Sequence, residues 1–366
     1  MKTTLHHIAR LAVTIAMATL GSCADDQPER QWQTVELRAL SPSFLLVEPV
    51  TRAVAWPTGY YDYSDVEAGG DYALQAPMLS KTIGACFTQG TTESYNQFDY
   101  NSTEHRWHTT ADLTEGTYQL YGFIPAGDVL THTISPVDGD FANGATLTLT
   151  GLKAVTASDV CIIVGAKEGT GPETVEGLAT GRFQTVIGES GKKYLFLLFD
   201  HLYAGVRFSF KVDAGYAALR TVKLKKLEMT ATAPPRVNAV VRIEQTDNGS
   251  TPVKSVAFSE YEGSTQFTET IYSGGDITLT TSPSLFKACF VPQTVSSFRI
   301  RSTYDVYDRR GNLIRQNCTA ENAVSLGEYI HLARGRMFTV NMTVNPTYLY
   351  MLSDPDLDNP TVKIEN

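Results

Sequence analysis

The sequence predicts an all-β protein, built as two β-sandwich domains in tandem. Three observations point there. Thr, Ser, Gly, Tyr and Val are plentiful while charged residues make up only 19% of the chain, a balance that favours strands and turns over helices. The chain breaks into short apolar or alternating runs, each bounded by turn residues. No long segment with helical periodicity occurs beyond the N terminus. A chain of 366 residues suits two domains of ordinary size, and no short internal repeat is visible.

The first residues read as a secretory signal. Lys2 and Arg10 supply positive charge, and Leu11 to Leu20 form an apolar run. That run is too short to cross about 30 Å of hydrocarbon as a helix, which takes roughly 20 residues. Leu20-Gly21-Ser22-Cys23 then resembles the bacterial lipobox, in which the signal is cut just before the cysteine. The Cys23 thiol is the nucleophile that accepts lipid, and small neighbours let the scissile bond enter the peptidase. Acyl chains contribute about 0.8 kcal/mol per buried CH₂, so several of them hold a chain on a bilayer without a spanning helix. Asp25-Asp26 resembles the export tag of surface lipoproteins.

The remaining elements follow in order. Asp25 to Gln31 is a polar tether. Thr34 to Ala39 alternates, with Val35, Leu37 and Ala39 on one face, as a strand does. Ala55 to Tyr72 is rich in Gly, Pro, Asp and Tyr and reads as loop. Gly116–Pro125, Ala145–Leu152 and Val160–Ala166 are short strand candidates. Lys167 to Lys193 carries many glycines and little periodicity, which places a domain boundary near it. Strand candidates resume at Lys192–Asp200, Ala204–Asp213, Arg220–Met229, Val237–Gln245, Asp276–Ser282, Phe286–Pro292, Ser296–Asp308 and Gly335–Val344. Asp308-Arg309-Arg310-Gly311 is a hairpin turn. The expected organisation is a signal peptide over 1–22, a tether and first strand over 23–52, sandwiches over 53–190 and 191–346, and a C-terminal linker and strand over 347–366.

Charge and motifs exclude several functions. The formal net charge is −9 with no basic block, so no nucleic-acid partner is expected. Cys86, Cys161, Cys289 and Cys318 form no C-x-x-C pair, which argues against zinc. Two disulfides and buried thiols both remain open for them, with Cys161 and Cys289 in apolar, strand-like surroundings. His105-Arg106-Trp107-His108 reads as a solvated turn, and His201 as a structural histidine in an apolar strand. Asp354, Asp356, Asp358 and Glu365 fall at calcium-loop spacings, but Asn359 stands where the turn glycine belongs and no helices flank them. No nucleophile elbow, zincin or P-loop motif occurs, so an enzyme is not expected, nor a cofactor or a metal. Tyr60, Tyr61 and Tyr63 could stack on sugars; for Tyr348 and Tyr350 strand packing is the simpler role.

Several stretches, taken in order, resemble the fimbrillin family, the lipidated type V pilins. They are the lipobox with its acidic start, Thr51-Arg52-Ala53, Gly116–Pro125, Phe199–Phe210 ("FDHLYAGVRFSF"), Phe290–Val295 and Gly335–Tyr350. A clear Trp-x-x-Gly-Asp pattern after Arg52 is missing. The resemblance implies two transthyretin-like sandwiches and a precursor carried to the outer surface as a lipoprotein. It implies cleavage between Arg52 and Ala53 and loss of the lipidated segment with its first strand; Arg38 is a poorer site, because it lies inside the alternating strand and a protease would have to unpair it. A strand from another subunit then fills the opened groove. The alternating tail, with Val362 and Ile364 on one face, is the expected donor strand; pairing at the edge of its own domain is the alternative.

The expectation is a fimbrial subunit or tip adhesin at the cell outer membrane. Its partners would be other pilin subunits, the membrane through the lipid anchor, and a host or bacterial surface ligand. The competing expectation is a permanently anchored, glycan-binding surface lipoprotein.

Overall fold

A computed structural model of the chain describes residues 33–42, 45–46, 60–62, 81–101, 106–111, 113, 116–156, 159–169, 184–187, 192–244, 253–292, 295–325, 333–347 and 356–365. The N-terminal strands are β1 (Gln33–Pro42), β2 (Leu45–Leu46) and β3 (Tyr60–Asp62). They are followed by β4 (Ile83–Gln89), β5 (Thr92–Asn101), β6 (Arg106–Ala111) and β7 (Gly116–Ile124). Next come β8 (Thr131–Val137), β9 (Asp140–Lys153), β10 (Val155–Thr156), β11 (Cys161–Gly169) and β12 (Gln184–Ile187). The middle of the chain gives β13 (Lys192–His201), β14 (Ala204–Val212), β15 (Thr221–Ala233), β16 (Arg236–Glu244) and β17 (Val253–Glu260). The last strands are β18 (Thr265–Tyr272), β19 (Ile277–Leu279), β20 (Ser284–Phe290), β21 (Ser297–Tyr307), β22 (Leu313–Ser325), β23 (Arg336–Thr347) and β24 (Asp356–Glu365). The architecture is nearly all β, as the composition predicts.

Local sequence explains the strands well. In β15, Val222 and Leu224 are buried, then Leu227, Met229, Ala231 and Ala233. The period of two slips by one residue at Lys225-Lys226, and the ladder to β21 shifts at the same place. Asp138 and Gly139 carry positive φ between β8 and β9, the backbone that a two-residue hairpin turn requires. At Asp308 the carboxylate accepts the N–H groups of Arg310 and Asn312, closing the turn into β22.

The strands form four sheets. The largest has the order β11-β13-β1-β6-β5-β4-β7-β12, with β3 on β1. In it β11 also reaches back to β7, pairing Cys161 with Ile124 and Ile162 with Phe123, so the strand path returns on itself. The second runs β10-β20-β14-β23-β2, with β24 on β23; the third runs β18-β15-β21-β22, with β19 on β15; the fourth runs β17-β16-β9-β8.

Two hydrophobic cores lie between these layers. The first includes Phe87, Tyr121, Leu147, Ile163, Phe199 and Val241, and the second includes Phe208, Leu224, Met229, Phe286, Ile300 and Tyr304. Core membership does not follow chain order. Strands β13 and β16 lie beyond residue 190 yet supply the first core, while Val155 packs into the second. The chain therefore crosses between the layers more than once. Two crossings lie side by side, from β10 to β11 and from β13 to β14.

Candidate functional site

β1 is an N-terminal strand paired along both edges. It runs parallel to β13, with Thr34 opposite Lys192 and Leu40 opposite Leu198. On its other edge it runs antiparallel to β6, with Gln33 opposite Ala111 and Leu37 opposite Trp107. Its last residues pair with β3. Three residues further on, β2 joins a different sheet, Leu45 and Leu46 pairing parallel with Arg336 and Met337 of β23. Residues 33–46 thus contribute strands to two sheets. Arg38 lies within β1, opposite Phe196. Cys23, Arg52 and Ala53 lie outside the described residues.

The predicted donor residues Val362 and Ile364 lie in β24. In the single chain this strand runs antiparallel to β23, with Val362 opposite Val344 and Ile364 opposite Met342. β24 also lies close to β22. β2 and β24 therefore share one strand, β23, at its start and along its second half respectively. The opposite edge of β23 is taken by β14 in parallel.

A second constellation was not anticipated from sequence. Asp159, Cys161 and His201 meet where β11 begins and β13 ends, and all three are buried. Cys161 and His201 are direct cross-strand partners, and Asp159 lies two residues before Cys161. His201 Nδ1 contacts Asp159 Oδ2 as a buried hydrogen-bonded pair. The Cys161 thiol donates to the same oxygen at 3.3 Å and lies 3.6 Å from His201 Nδ1. The other carboxylate oxygen, Asp159 Oδ1, is buried and has no hydrogen-bond partner. The Leu202 N–H donates to the Val160 carbonyl at 2.8 Å, tying the two crossings together.

Around this cluster the packing is polar and closed. Asp200 is ion-paired to Arg334, whose guanidinium also donates to the His201 carbonyl at 3.2 Å. The Tyr203 hydroxyl donates to the Lys153 carbonyl at 2.6 Å. Burial, then the nearby Asp128 carboxylate, holds the Tyr203 hydroxyl well above its usual range. Burial likewise pushes up the Cys289 thiol. Neither group is poised to ionise at neutral pH, and neither offers a nucleophile to solvent.

Other sequence expectations change on inspection. Arg106, Trp107 and His108 belong to β6 and not to a solvated turn. Trp107 is a core residue whose Nε1–H donates to the Lys81 carbonyl at 2.9 Å. The error has a simple cause: the polar neighbours of Trp107 alternate with it, and one aromatic alone anchors the strand. The acidic run from Asp356, expected to be linker ahead of a last strand, belongs to the strand itself, which is continuous to Glu365. Cys86, Cys161, Cys289 and Cys318 are thiols with no disulfide among them. The missed signal for the buried cluster was an Asp-x-Cys at a strand start, but its histidine lies 40 residues away and only the ladder brings it across.

No protein-family model matches the chain, and no curated protein matches it. Solved structures similar to it include ones described as cell adhesion and fimbrial proteins. One is a candidate cell adhesion protein from Bacteroides fragilis, 10% identical, with a TM-score of 0.41 over 91% of this chain and 97% of that one. Another, from Bacteroides uniformis, is 10% identical with a TM-score of 0.37 over 93% and 99%. The fimbrial anchor protein of Porphyromonas gingivalis is 10% identical with a TM-score of 0.27 over 89% and 95%. At such identities and overlays, a functional assignment has to come from the chain's own residues.

Proposed function

We propose that the chain is a fimbrial structural subunit or tip adhesin, exported as a lipoprotein through Cys23 and assembled at the cell surface by strand exchange. The observation that carries this reading is the position of β1. A terminal strand paired on both edges is, once removed, a slot with two rows of unpaired N–H and C=O groups. Cleavage between Arg52 and Ala53 would take β1 and β2 together. The edges of β6 and β13 then template an incoming strand, whose backbone supplies affinity and whose alternate side chains supply register. β24 suits the donor role because, among the described strands of its sheet, it pairs with β23 alone. Pro355 and Pro360 lack backbone donors, which limits what else the segment can pair with.

The test treats the full precursor with an Arg-specific protease, reads the new N terminus by mass spectrometry, and follows heat-stable oligomers on denaturing gels. The expected result is a new terminus at Ala53 and a ladder that requires the cut. Removing Thr361 to Asn366 should abolish the ladder and leave the cut intact. Cut chains that stay monomeric refute strand exchange. Uncut, acylated protein recovered from the cell surface would favour the permanently anchored lipoprotein instead.

A further inference from the structure

We propose that Asp159, Cys161 and His201 form a structural zinc site that pins the two side-by-side crossings between the sheets. The inference is independent of strand exchange. It starts from the donor set: one sulfur, one imidazole nitrogen and one carboxylate, whose ligand atoms all lie within 4.8 Å of one another. Sulfur with nitrogen and oxygen suits zinc better than calcium or magnesium, which take oxygen alone.

The geometry fits on two edges of three. Zinc bonds of about 2.3 Å to sulfur and about 2.0–2.2 Å to nitrogen and oxygen give a tetrahedron with edges of about 3.4–3.6 Å. Cys161 Sγ already lies 3.3 Å from Asp159 Oδ2 and 3.6 Å from His201 Nδ1. Only the His201–Asp159 edge must open, by a small rotation of the carboxylate. That rotation gives Asp159 Oδ1 a partner, since this buried oxygen has no hydrogen-bond partner of its own. Thiolate, imidazole and one carboxylate oxygen supply three ligands, and the second carboxylate oxygen adds a fourth contact at the narrow bite of a carboxylate, which makes the shell a distorted tetrahedron.

Charge agrees. A buried carboxylate and a thiolate together carry −2, which Zn²⁺ cancels in the interior. On binding, the Cys161 thiol proton leaves to solvent. The proton between His201 and Asp159 is displaced as well, to Nε2 or to solvent. A catalytic reading does not fit: the cluster is closed to substrate, and the thiol and the carboxylate crowd the same imidazole nitrogen.

Because the site is closed, metal would enter as the chain folds. The test is to unfold untagged protein in chelator, refold it with zinc or with cobalt, and remove excess metal. The expected result is one metal per chain, a raised thermal midpoint, and for cobalt a sulfur-to-metal charge-transfer band with the visible absorption of a distorted four-coordinate site. X-ray absorption on the zinc-loaded wild type should show one sulfur and a remainder of nitrogen and oxygen; this readout needs no variant to fold. Cys161→Ser should remove the charge-transfer band. Cys289→Ala, which alters a buried thiol outside the donor set, should keep it. Substoichiometric metal after refolding, a zinc shell without sulfur, or a band that survives Cys161→Ser would each overturn the proposal.

Discussion

In metal-free protein, the contact between His201 and Asp159 should be one of the strongest pairwise couplings in the first core. The magnitude follows from burial: Asp159 is 2% exposed and His201 is 5% exposed. Replacing His201 by Ala leaves a carboxylate in the interior with only a thiol to offset it. Breaking a buried pair this way costs about 3–5 kcal/mol. Replacing Asp159 by Ala removes the acceptor for both His201 and Cys161. The double variant loses both partners and buries no orphaned charge, so its cost should fall short of the sum of the singles. The shortfall should be about 1.5–3 kcal/mol, the usual worth of a hydrogen bond to a charged group. Each alanine also leaves a cavity, but that cost largely cancels in the cycle. The assay is urea unfolding of the four proteins in excess chelator, with equal slopes as the check on a common unfolded state. A coupling below about 0.5 kcal/mol, the usual level for sites that do not interact, would show that the pair is spectators in contact and refute the reasoning.

Three further outcomes are expected. Gly122→Ala should destabilise by at least about 1–3 kcal/mol, because its Cβ would lie 2.1 Å from the Gly84 carbonyl oxygen and 2.8 Å from Ala85 Cα. Gly127→Ala, with nothing within 4 Å of its Cβ, should change urea stability by less than about 0.5 kcal/mol, and equal costs would break the argument. Asp128 is held above the usual carboxylate range by burial, against the pull of Lys153, Lys81 and Arg236, and its Oδ2 has no hydrogen-bond partner. A carboxyl raised on folding favours the fold while protonated and loses that contribution as pH rises through its folded value. Asp128→Asn should therefore raise the thermal midpoint at neutral pH, with the gain shrinking under acid; a pH-independent difference contradicts this. Among thiols beyond Cys23, half-buried Cys318 should be alkylated first in the native protein, and Cys86, pushed up to about 12 by burial and then by Glu93, should resist; equal rates would count against the burial described.

How much of this could be read from the sequence depends on what each residue's signal is about. The slip at Lys225-Lys226 is written in "TVKLKKLEM" itself, because a bulge displaces the apolar phase wherever the strand pairs. The turns at Asp138-Gly139 and Asp308 are equally local. β5 is different: "TESYNQFDYN" is polar along nearly its whole length, with only Phe98 fully buried, so no apolar alternation announces it. The parallel pairing of β1 with β13 joins segments far apart in sequence, and no local pattern specifies a partner. The buried cluster fails to show for the same reason. Asp159 ahead of β11, Cys161 at its start and His201 at the end of β13 carry no local signal, and their chemistry exists only through the register of β11 on β13. The mixing of β16 into the first core escapes for a related cause, since its alternation fits either core.

The ladder of β1 also has a mechanical side. A pull on residue 33 along the strand axis drags β1 past β13 and β6 together. Bonds that lie across the direction of pull share the load, so they must fail as a group and not one after another from an end. Force of this kind tests the height of the unfolding barrier more than the equilibrium stability. A chain tethered through its N terminus would thus hang by the joint best suited to shear. A backbone cut beyond β1 would leave both ladders in place, so the severed strand would still leave only by breaking them, and it would do so most readily by peeling from one end.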